Sequence, residues 1–197
     1  MSIDVSQIRS RIRAERNAVD QRSRLQWSQS ACELAMQLEA FQKSKRVGAF
    51  QAFDSEADPV GLMTLAIEQG KQVYVPVVVG KAKPLRFAAW HPEVEMKPNR
   101  FGIDEPVGEP ANWIDAQELD FVITPLVAFD QSCNRIGVGG GFYDRTFEFL
   151  NEPENQKSVM LVGFAFELQK LDSIEPQPWD VRLDAVVTQS SVYRGSL

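Results

Sequence analysis

Apolar residues follow a helical spacing in some segments of the chain and form continuous runs in others. The N-terminal segments show the helical spacing. An amphipathic helix is predicted where the apolar residues fall three and four apart, at Val5, Ile8 and Ile12. Another face of the same helix is expected to carry Arg9, Arg13 and Arg16. A second helix is predicted from about Asp20, with a buried side formed by Leu25, Cys32, Ala35 and Leu38. A third should begin at Asp58-Pro59 and run to Gly70, because aspartate and proline favour helix starts.

Apolar runs between these helices predict strands at 46–53, 71–79, 85–90, 119–129, 158–166 and 183–189. The run 119–129 is almost unbroken, which is typical of a strand covered on both faces. A short helix is expected at 142–150, and residues 91–110, with four prolines, are expected to form a long loop. The succession of strands and helices predicts an α/β fold: a mainly parallel central sheet flanked by helices, with an N-terminal helical pair. No repeat or linker interrupts residues 1–197, so one domain is expected.

Composition narrows the class of protein. A net charge of −6 argues against a nucleic-acid binder. No stretch approaches the roughly 20 apolar residues of a membrane span, and no secretory signal is visible, so a cytoplasmic protein without membrane partners is expected. Cys32 and Cys133 are too sparse for a disulfide framework or a zinc site. His91 is the only histidine, which excludes a histidine-dependent triad and a two-histidine metal site.

The most informative stretch is "RIGVGGGFYDR", residues 135–145, which contains four glycines. Backbone N–H groups of a glycine loop before a helix can surround an anion, and phosphate is the natural ligand. The Walker A motif and the dinucleotide fingerprint both fit poorly, since Phe142 and Tyr143 follow the last glycine. A tight turn where two backbones cross is the structural alternative.

Two charged residues flank these glycines. Arg135 can complement phosphate charge, and Asp144 offers an oxygen ligand for the magnesium that accompanies ATP. Asp144 could instead simply cap the helix that begins there. The stretch therefore indicates a nucleotide phosphate without identifying the reaction.

The wider stretch "CNRIGVGGGFYDRTF" resembles the signature of the 5-formyltetrahydrofolate cyclo-ligase (5,10-methenyltetrahydrofolate synthetase) family. Further segments are similar to that family in the same order along almost the whole chain: "IRSRIRAERNAV", "FQAFDSEADP", "NRFGIDEP", "LDFVITPLVAFD" and "PWDVRLDAVVT". The resemblance implies an ATP-dependent enzyme that converts 5-formyltetrahydrofolate to 5,10-methenyltetrahydrofolate, ADP and phosphate. It implies phosphorylation of the formyl oxygen followed by attack of N10, with Mg²⁺ as cofactor and a monomeric protein.

The resemblance also implies site residues. ATP is expected at Arg9, Arg13, Arg135, Ile136, Gly137, Val138, Gly139, Gly140, Gly141, Phe142 and Tyr143. The folate is expected at Glu56, Phe101, Val138, Gly139, Gly140, Gly141 and Phe142. Catalytic roles fall to Arg135, for transition-state charge, and Tyr143. Metal ligation falls to Asp144 and Asp180, and for Asp184, the competitor of Asp180, a structural role is favoured.

Three positions depart from the family pattern. Val5 stands where the N-terminal ATP motif has a lysine, Val138 where some members carry a basic residue, and Gly61 where some carry an acid. The first two departures motivate an alternative, a reduced-folate binding protein without turnover. Another small-molecule enzyme on a related α/β scaffold, such as a sugar-phosphate isomerase, is a third hypothesis.

Overall fold

The computed structural model describes residues 4–152, 155 and 158–195. Its α-helices are α1 Val5–Ala18, α2 Gln21–Met36, α3 Glu39–Lys43, α4 Val60–Glu68 and α5 Phe142–Phe147. Its strands are β1 Arg46–Gly48, β2 Gln72–Val77, β3 Arg86–Trp90, β4 Met96–Pro98, β5 Asp104–Pro106, β6 Phe121–Thr124, β7 Ala128–Asp130, β8 Arg135–Ile136, β9 Met160–Phe164, β10 Lys170–Leu171, β11 Ala185–Val187 and β12 Val192–Arg194. Among these described helices, none is long and apolar enough to cross a membrane.

The central sheet has seven strands in the order β12-β11-β9-β6-β1-β2-β3. Its inner strands run parallel, and the two edge strands β3 and β12 are antiparallel to their neighbours. The expectation of an α/β fold with a mainly parallel sheet flanked by helices is confirmed. Two small sheets stand beside it, β10-β7-β8 and the hairpin β4-β5.

Both faces of the central sheet are covered by apolar side chains. On one face Phe41 of α3 meets Phe121 of β6 edge to face, with ring centroids 5.5 Å apart. On the other face Phe147 of α5 packs against Phe87 of β3 at 6.2 Å. Each of these four rings has no exposed surface, and burial of such a side chain stabilises the fold by about 1.5–3 kcal/mol.

The predicted strands are longer than the observed ones, most clearly in two places. Regular pairing ends at Gly48, so 49–53 is not part of β1. The run 119–129 is divided into β6 and β7, which belong to different sheets. Pro125 lies between them, and because proline has no backbone N–H to donate, it interrupts the ladder.

Other local predictions need correction. Residues 91–110 are not a plain loop, since they contain the hairpin β4-β5. Leu25 is 61 % exposed and not on the buried side of α2, and Leu38 lies beyond α2, at the N-cap of α3. Helix α4 begins at Val60, whose N–H donates to Oδ1 of Asp58 (2.9 Å). Helix α5 is six residues long and continues as a 3-10 turn over Glu148–Asn151.

Candidate functional site

The sheet has a topological switch point between β1 and β6. From β1 the chain continues to β2 on one side, and it later builds β6, β9 and β11 on the other. In open α/β sheets, ligands bind at such a point, outside the carboxyl ends of the strands. Residues 53–56, here called the acidic turn, follow β1, and residues 137–141, here called the glycine loop, follow the hairpin β7-β8 after β6.

Asp130 stabilises the turn of the hairpin β7-β8, which leads into the glycine loop. Its Oδ1 accepts the N–H groups of Ser132 (2.9 Å) and Asn134 (3.0 Å), and its Oδ2 accepts the N–H of Ile174 (2.9 Å). Asp130 is only 3 % exposed, so these charge-assisted bonds fix the turn. The glycine loop therefore begins at a hairpin whose turn is held rigidly.

The glycine loop needs glycine for two separate reasons. Gly139 (φ +107°) and Gly141 (φ +61°) have left-handed backbone, which disfavours any residue with a Cβ. At Gly141 a Cβ would also lie 2.6 Å from Nη1 of Arg145, so that side chain would have to move, whereas at Gly139 a Cβ would meet Cζ of Arg9 at 3.4 Å, an ordinary contact. Both guanidinium groups hold the loop, since Arg145 donates to O of Gly140 (2.7 Å) and Arg9 to O of Gly137 (2.8 Å).

Arg135 lies under the glycine loop rather than in solvent. Its side chain is 5 % exposed, and its Nη2 donates to Oδ1 of Asp144. The same Oδ1 accepts the N–H of Val181 (3.3 Å). Tyr143 stands beside this pair, with its ring centroid 6.0 Å from Cζ of Arg135. Burial, and then the charge of Glu56, raises the pKa of Tyr143, so its hydroxyl stays protonated and is suited to donate a hydrogen bond.

The acidic turn is strained. Asp54 (φ +49°) and Ser55 (φ +58°) both have left-handed backbone, and N of Glu56 donates to O of Phe53 (3.1 Å) across the turn. In return N of Phe53 donates to Oε2 of Glu56 (3.1 Å). Burial raises the pKa of Glu56 to about 7, against the opposing effects of that N–H and of the charge of Arg16.

Helix α1 contacts both the glycine loop and the acidic turn. Its apolar stripe, Ile8 and Ile12, packs on the hairpin β7-β8. Arg9 contacts the glycine loop, while at the other end Nη2 of Arg16 donates to O of Asp54 (2.9 Å). Arg13 is 3.6 Å from Oδ2 of Asp54 and half exposed. One helix thus ties the two halves of the candidate site together.

Phe101 reaches the site from the tip of the hairpin β4-β5. Oδ1 of Asn99 accepts the N–H groups of Phe101 (2.8 Å) and Ile103 (3.2 Å), which shapes the tip. The ring of Phe101 is 48 % exposed and stands edge-on to Phe142 at 6.0 Å. Phe101 therefore offers an exposed aromatic surface next to the glycine loop.

The candidate metal ligands are close in the fold. The N–H of Val181, next to Asp180, donates to Asp144. Asp180 Oδ2 accepts the N–H of Gln177 (2.9 Å). Asp184 lies elsewhere, and its Oδ2 accepts the N–H of Leu161 (2.7 Å) at the start of β9, which agrees with a structural role. In the described part of the chain, no group of three or more His, Cys, Asp or Glu residues could hold a metal.

Two arginines of the site were not among the predicted site residues. Arg16 was expected on a polar face, but it is 2 % exposed and continues the stripe of Ile8 and Ile12 at an interval of four, which was the available signal. Arg145 stacks on Phe142 (5.3 Å) and holds the glycine loop, and only its place in "FYDR" could have indicated it. The described chain has six buried side-chain nitrogens without a partner, four of them in Arg16, Arg135 and Arg145. The site is therefore rich in positive charge.

A glycine loop lined with arginines, beside a half-buried carboxylate at a switch point of the sheet, is the arrangement of an α/β protein suited to bind an anion. The model of the 5-formyltetrahydrofolate cyclo-ligase family matches residues 2–189. The chain therefore belongs to the 5-formyltetrahydrofolate cyclo-ligase family.

Individual relatives agree with this assignment. The chain is 38 % identical over 178 residues to a 5-formyltetrahydrofolate cyclo-ligase of Haemophilus influenzae, covering 90 % of this chain and 93 % of the relative. It is 36 % identical over 183 residues to that of Escherichia coli, covering 92 % and 98 %. A solved structure of 5,10-methenyltetrahydrofolate synthetase from Aquifex aeolicus superposes with a TM-score of 0.80 at 26 % identity, covering 96 % of this chain and 92 % of that one. The expectation of a cyclo-ligase enzyme is confirmed, and the family uses ATP as co-substrate.

Proposed function

We propose that this protein closes the imidazoline ring of 5-formyltetrahydrofolate at the expense of ATP, giving 5,10-methenyltetrahydrofolate, ADP and phosphate. The observation that carries the proposal is the convergence of the acidic turn and the glycine loop at one switch point, joined by α1. The reaction needs a phosphate donor and a pterin side by side, and these two segments suit the two ligands.

The acidic turn serves the folate. The outer edge of a pterin presents paired N–H donors, and a carboxylate such as Glu56 can accept two of them. Phe101 and Phe142 supply aromatic surface for the rings of the folate. Recognition of the pterin follows from this pairing of a carboxylate with aromatic contacts.

The glycine loop serves the triphosphate. Backbone N–H groups of residues 137–141 approach the γ-phosphate, and Arg9 and Arg135 contribute positive charge, with Arg13 one turn further along the same helix, beside Asp54. Because Arg135 is already buried and oriented by Asp144, little reorganisation accompanies phosphoryl transfer. The hydroxyl of Tyr143, kept neutral by burial, is suited to donate a hydrogen bond to an oxygen of the reacting groups.

The chemistry proceeds in two steps. The formyl oxygen attacks the γ-phosphorus and ADP leaves, which converts a poor leaving group into phosphate. N10 then attacks the formyl carbon, its proton is lost, and the C–O bond breaks to release phosphate and leave the methenyl bridge. Holding both reactants in contact supplies the effective concentration that this ring closure needs.

Magnesium fits the site through Asp144 and Asp180. Mg²⁺ is usually held by one or two carboxylates together with substrate phosphates and water, so a cage of three protein ligands is not required. Among the described residues, Asp144 uses Oδ1 and Asp180 uses Oδ2 in hydrogen bonds, so the other oxygen of each suits a metal. When bound, the ion would neutralise the phosphate charge.

The proposal is tested by adding Mg-ATP and 5-formyltetrahydrofolate to the purified protein. The expected result is growth of the methenyl absorbance together with release of one phosphate per turnover. Arg135→Ala should abolish most turnover and still bind the folate. Folate binding by the wild-type protein without phosphate release would contradict the proposal and identify a binding protein instead.

Residues 1–197 are proposed to act as one domain, as a monomer, in the cytoplasm. The continuous sheet from β12 to β3 supports the first point. Light scattering of the purified protein tests the second, and fractionation of cells tests the third.

A further inference from the structure

Arg16 occupies a position of α1 where the pattern favours an apolar side chain. It follows Ile8 and Ile12 at an interval of four, and only 2 % of its surface is exposed. Its Nε and Nη1 are buried without a partner among the described residues. A buried guanidinium with unpaired donors costs free energy that a methionine would not cost. Stability alone therefore does not explain this arginine.

The hydrogen bond that Arg16 makes reaches the acidic turn. Its Nη2 donates to O of Asp54 (2.9 Å) and lies 3.8 Å from Oδ2 of the same residue. From the same end of α1, Oδ1 of Asn17 accepts the hydroxyl of Ser55 (2.6 Å). Two consecutive left-handed residues without glycine are costly, at about 1–3 kcal/mol each, and persist only where neighbours hold them. The end of α1 is what holds the acidic turn.

Glu56 depends on this turn for its orientation. Its N–H and its carboxylate are both bonded to the backbone of Phe53, across Asp54 and Ser55. Its charge depends on Arg16 as well, because among the neighbouring charges Arg16 has the largest effect in lowering the pKa of Glu56 against burial. Without Arg16, this half-buried glutamate would be more often protonated and would lose one acceptor site.

We propose that Arg16 is a positioning residue for the folate: it holds the acidic turn and so orients Glu56 toward the paired N–H donors of a pterin. Arg16 contacts neither ligand in this role and acts through Glu56. The inference rests on the proposed function, since it assigns the acidic turn to the folate. It also predicts a division along α1, with Arg9 affecting ATP and Arg16 affecting the folate.

The test compares Arg16→Met, Arg16→Lys and the control Arg22→Met, which removes an exposed arginine of α2. In steady-state assays of the full chain, Arg16→Met should raise KM for 5-formyltetrahydrofolate about tenfold or more, the loss of one charge-assisted contact. KM for ATP should stay within about twofold, and Tm should change little, because the removal of two unpaired buried donors offsets the lost hydrogen bond to Asp54. Arg16→Lys should restore most of the folate KM, and Arg22→Met should match the wild type.

Two results would overturn the inference: an unchanged folate KM with a lowered Tm, or equal increases in both KM values. If the wild-type protein neither binds nor converts the folate, the proposed function itself fails. That failure is seen in the wild-type protein alone, whereas failure of the role of Arg16 is seen only when the variants are compared with a working wild type. Should Arg16→Met not fold, Asn17→Ala removes another contact between α1 and the acidic turn, from an exposed position. It should raise the folate KM about threefold, the effect of one ordinary hydrogen bond, and no rise would again overturn the inference.

Discussion

The glycine loop and the acidic turn each contain two residues with left-handed backbone, but the residue types differ. The glycine loop uses glycine at its left-handed positions, 139 and 141, whereas the acidic turn uses Asp54 and Ser55. Glycine makes the first segment cheap to form and leaves its N–H groups accessible to an anion. The second segment is strained and is held by the end of α1. A left-handed backbone can thus be intrinsic to a segment or imposed by a neighbour, and the two should respond differently to mutation.

The largest expected effect is at Gly139. Gly139→Ala places a residue with a Cβ at φ +107°, a backbone conformation that such residues rarely adopt, so the loop must shift. A displacement near 1 Å in a positioning loop lowers kcat/KM about 100-fold. Gly70→Ala is the matched control, because Gly70 has φ +76° and nothing within 4 Å of its Cβ position. It should cost about 1–2 kcal/mol of stability and leave kinetics unchanged. Equal kinetic effects of both changes would show that loop geometry is not what matters.

Asp144→Asn should have the next largest effect, again on the side of the glycine loop. It removes the charge that orients Arg135 and one proposed magnesium ligand. The loss of one charge-assisted contact corresponds to about 1.5–3 kcal/mol, or roughly 10- to 100-fold in kcat. The dissociation constant for the folate should be unchanged in equilibrium titration. Asp184→Asn is the control and should alter thermal stability only, so a loss of folate affinity in Asp144→Asn would mean that Asp144 holds the whole site together.

The role of the acidic turn should be visible in the pH dependence of folate affinity. Glu56 has a pKa raised from 4.5 to about 7, with Arg16, Arg13 and Asp54 as its charged neighbours. A raised carboxylic pKa favours folding in the protonated form, so that contribution is complete below about pH 4.5 and is lost as pH rises through 7. Folate binding needs the carboxylate, so affinity should weaken about tenfold between pH 8 and pH 6. Fluorescence titration checks this, and Glu56→Gln should bind weakly with a flat profile; a flat wild-type profile would contradict the role of Glu56.

The smallest effect is expected at Ser55. Ser55→Gly relieves a left-handed φ of 58°, a gain of about 1 kcal/mol. It also removes the hydrogen bond to Asn17, a loss of about 1 kcal/mol. The two nearly cancel, so denaturant unfolding should give a stability within about 1 kcal/mol of the wild type. A large loss would show that the Asn17 contact, and not the strain, dominates the acidic turn.

The same comparison shows what the sequence could and could not disclose. Four glycines in "RIGVGGGFYDR" have no packing role, so a backbone requirement was visible at once. In "DSEADP" nothing marks Asp54 and Ser55 as left-handed, because the residues that hold them, Arg16 and Asn17, lie 38 positions earlier in the chain. Local pattern reveals intrinsic conformations and misses imposed ones.

Fold class was predictable because buried parallel strands have a strong apolar signal. The ends of elements were not, as the early end of β1 and the division at Pro125 show. The hairpin β4-β5 was missed because its strands are three residues long and half exposed, with no apolar run. Its tip nevertheless brings Phe101 to the site, a residue indicated only by the family resemblance.

The bond from Arg9 to Gly137 joins positions 128 residues apart. During synthesis, α1 emerges long before the hairpin on which Ile8 and Ile12 pack. Closing so long a stretch of chain delays folding, because its entropy must be lost before any contact compensates. For most of translation the nascent polypeptide therefore carries the α1 segment without the surface that later covers its apolar stripe.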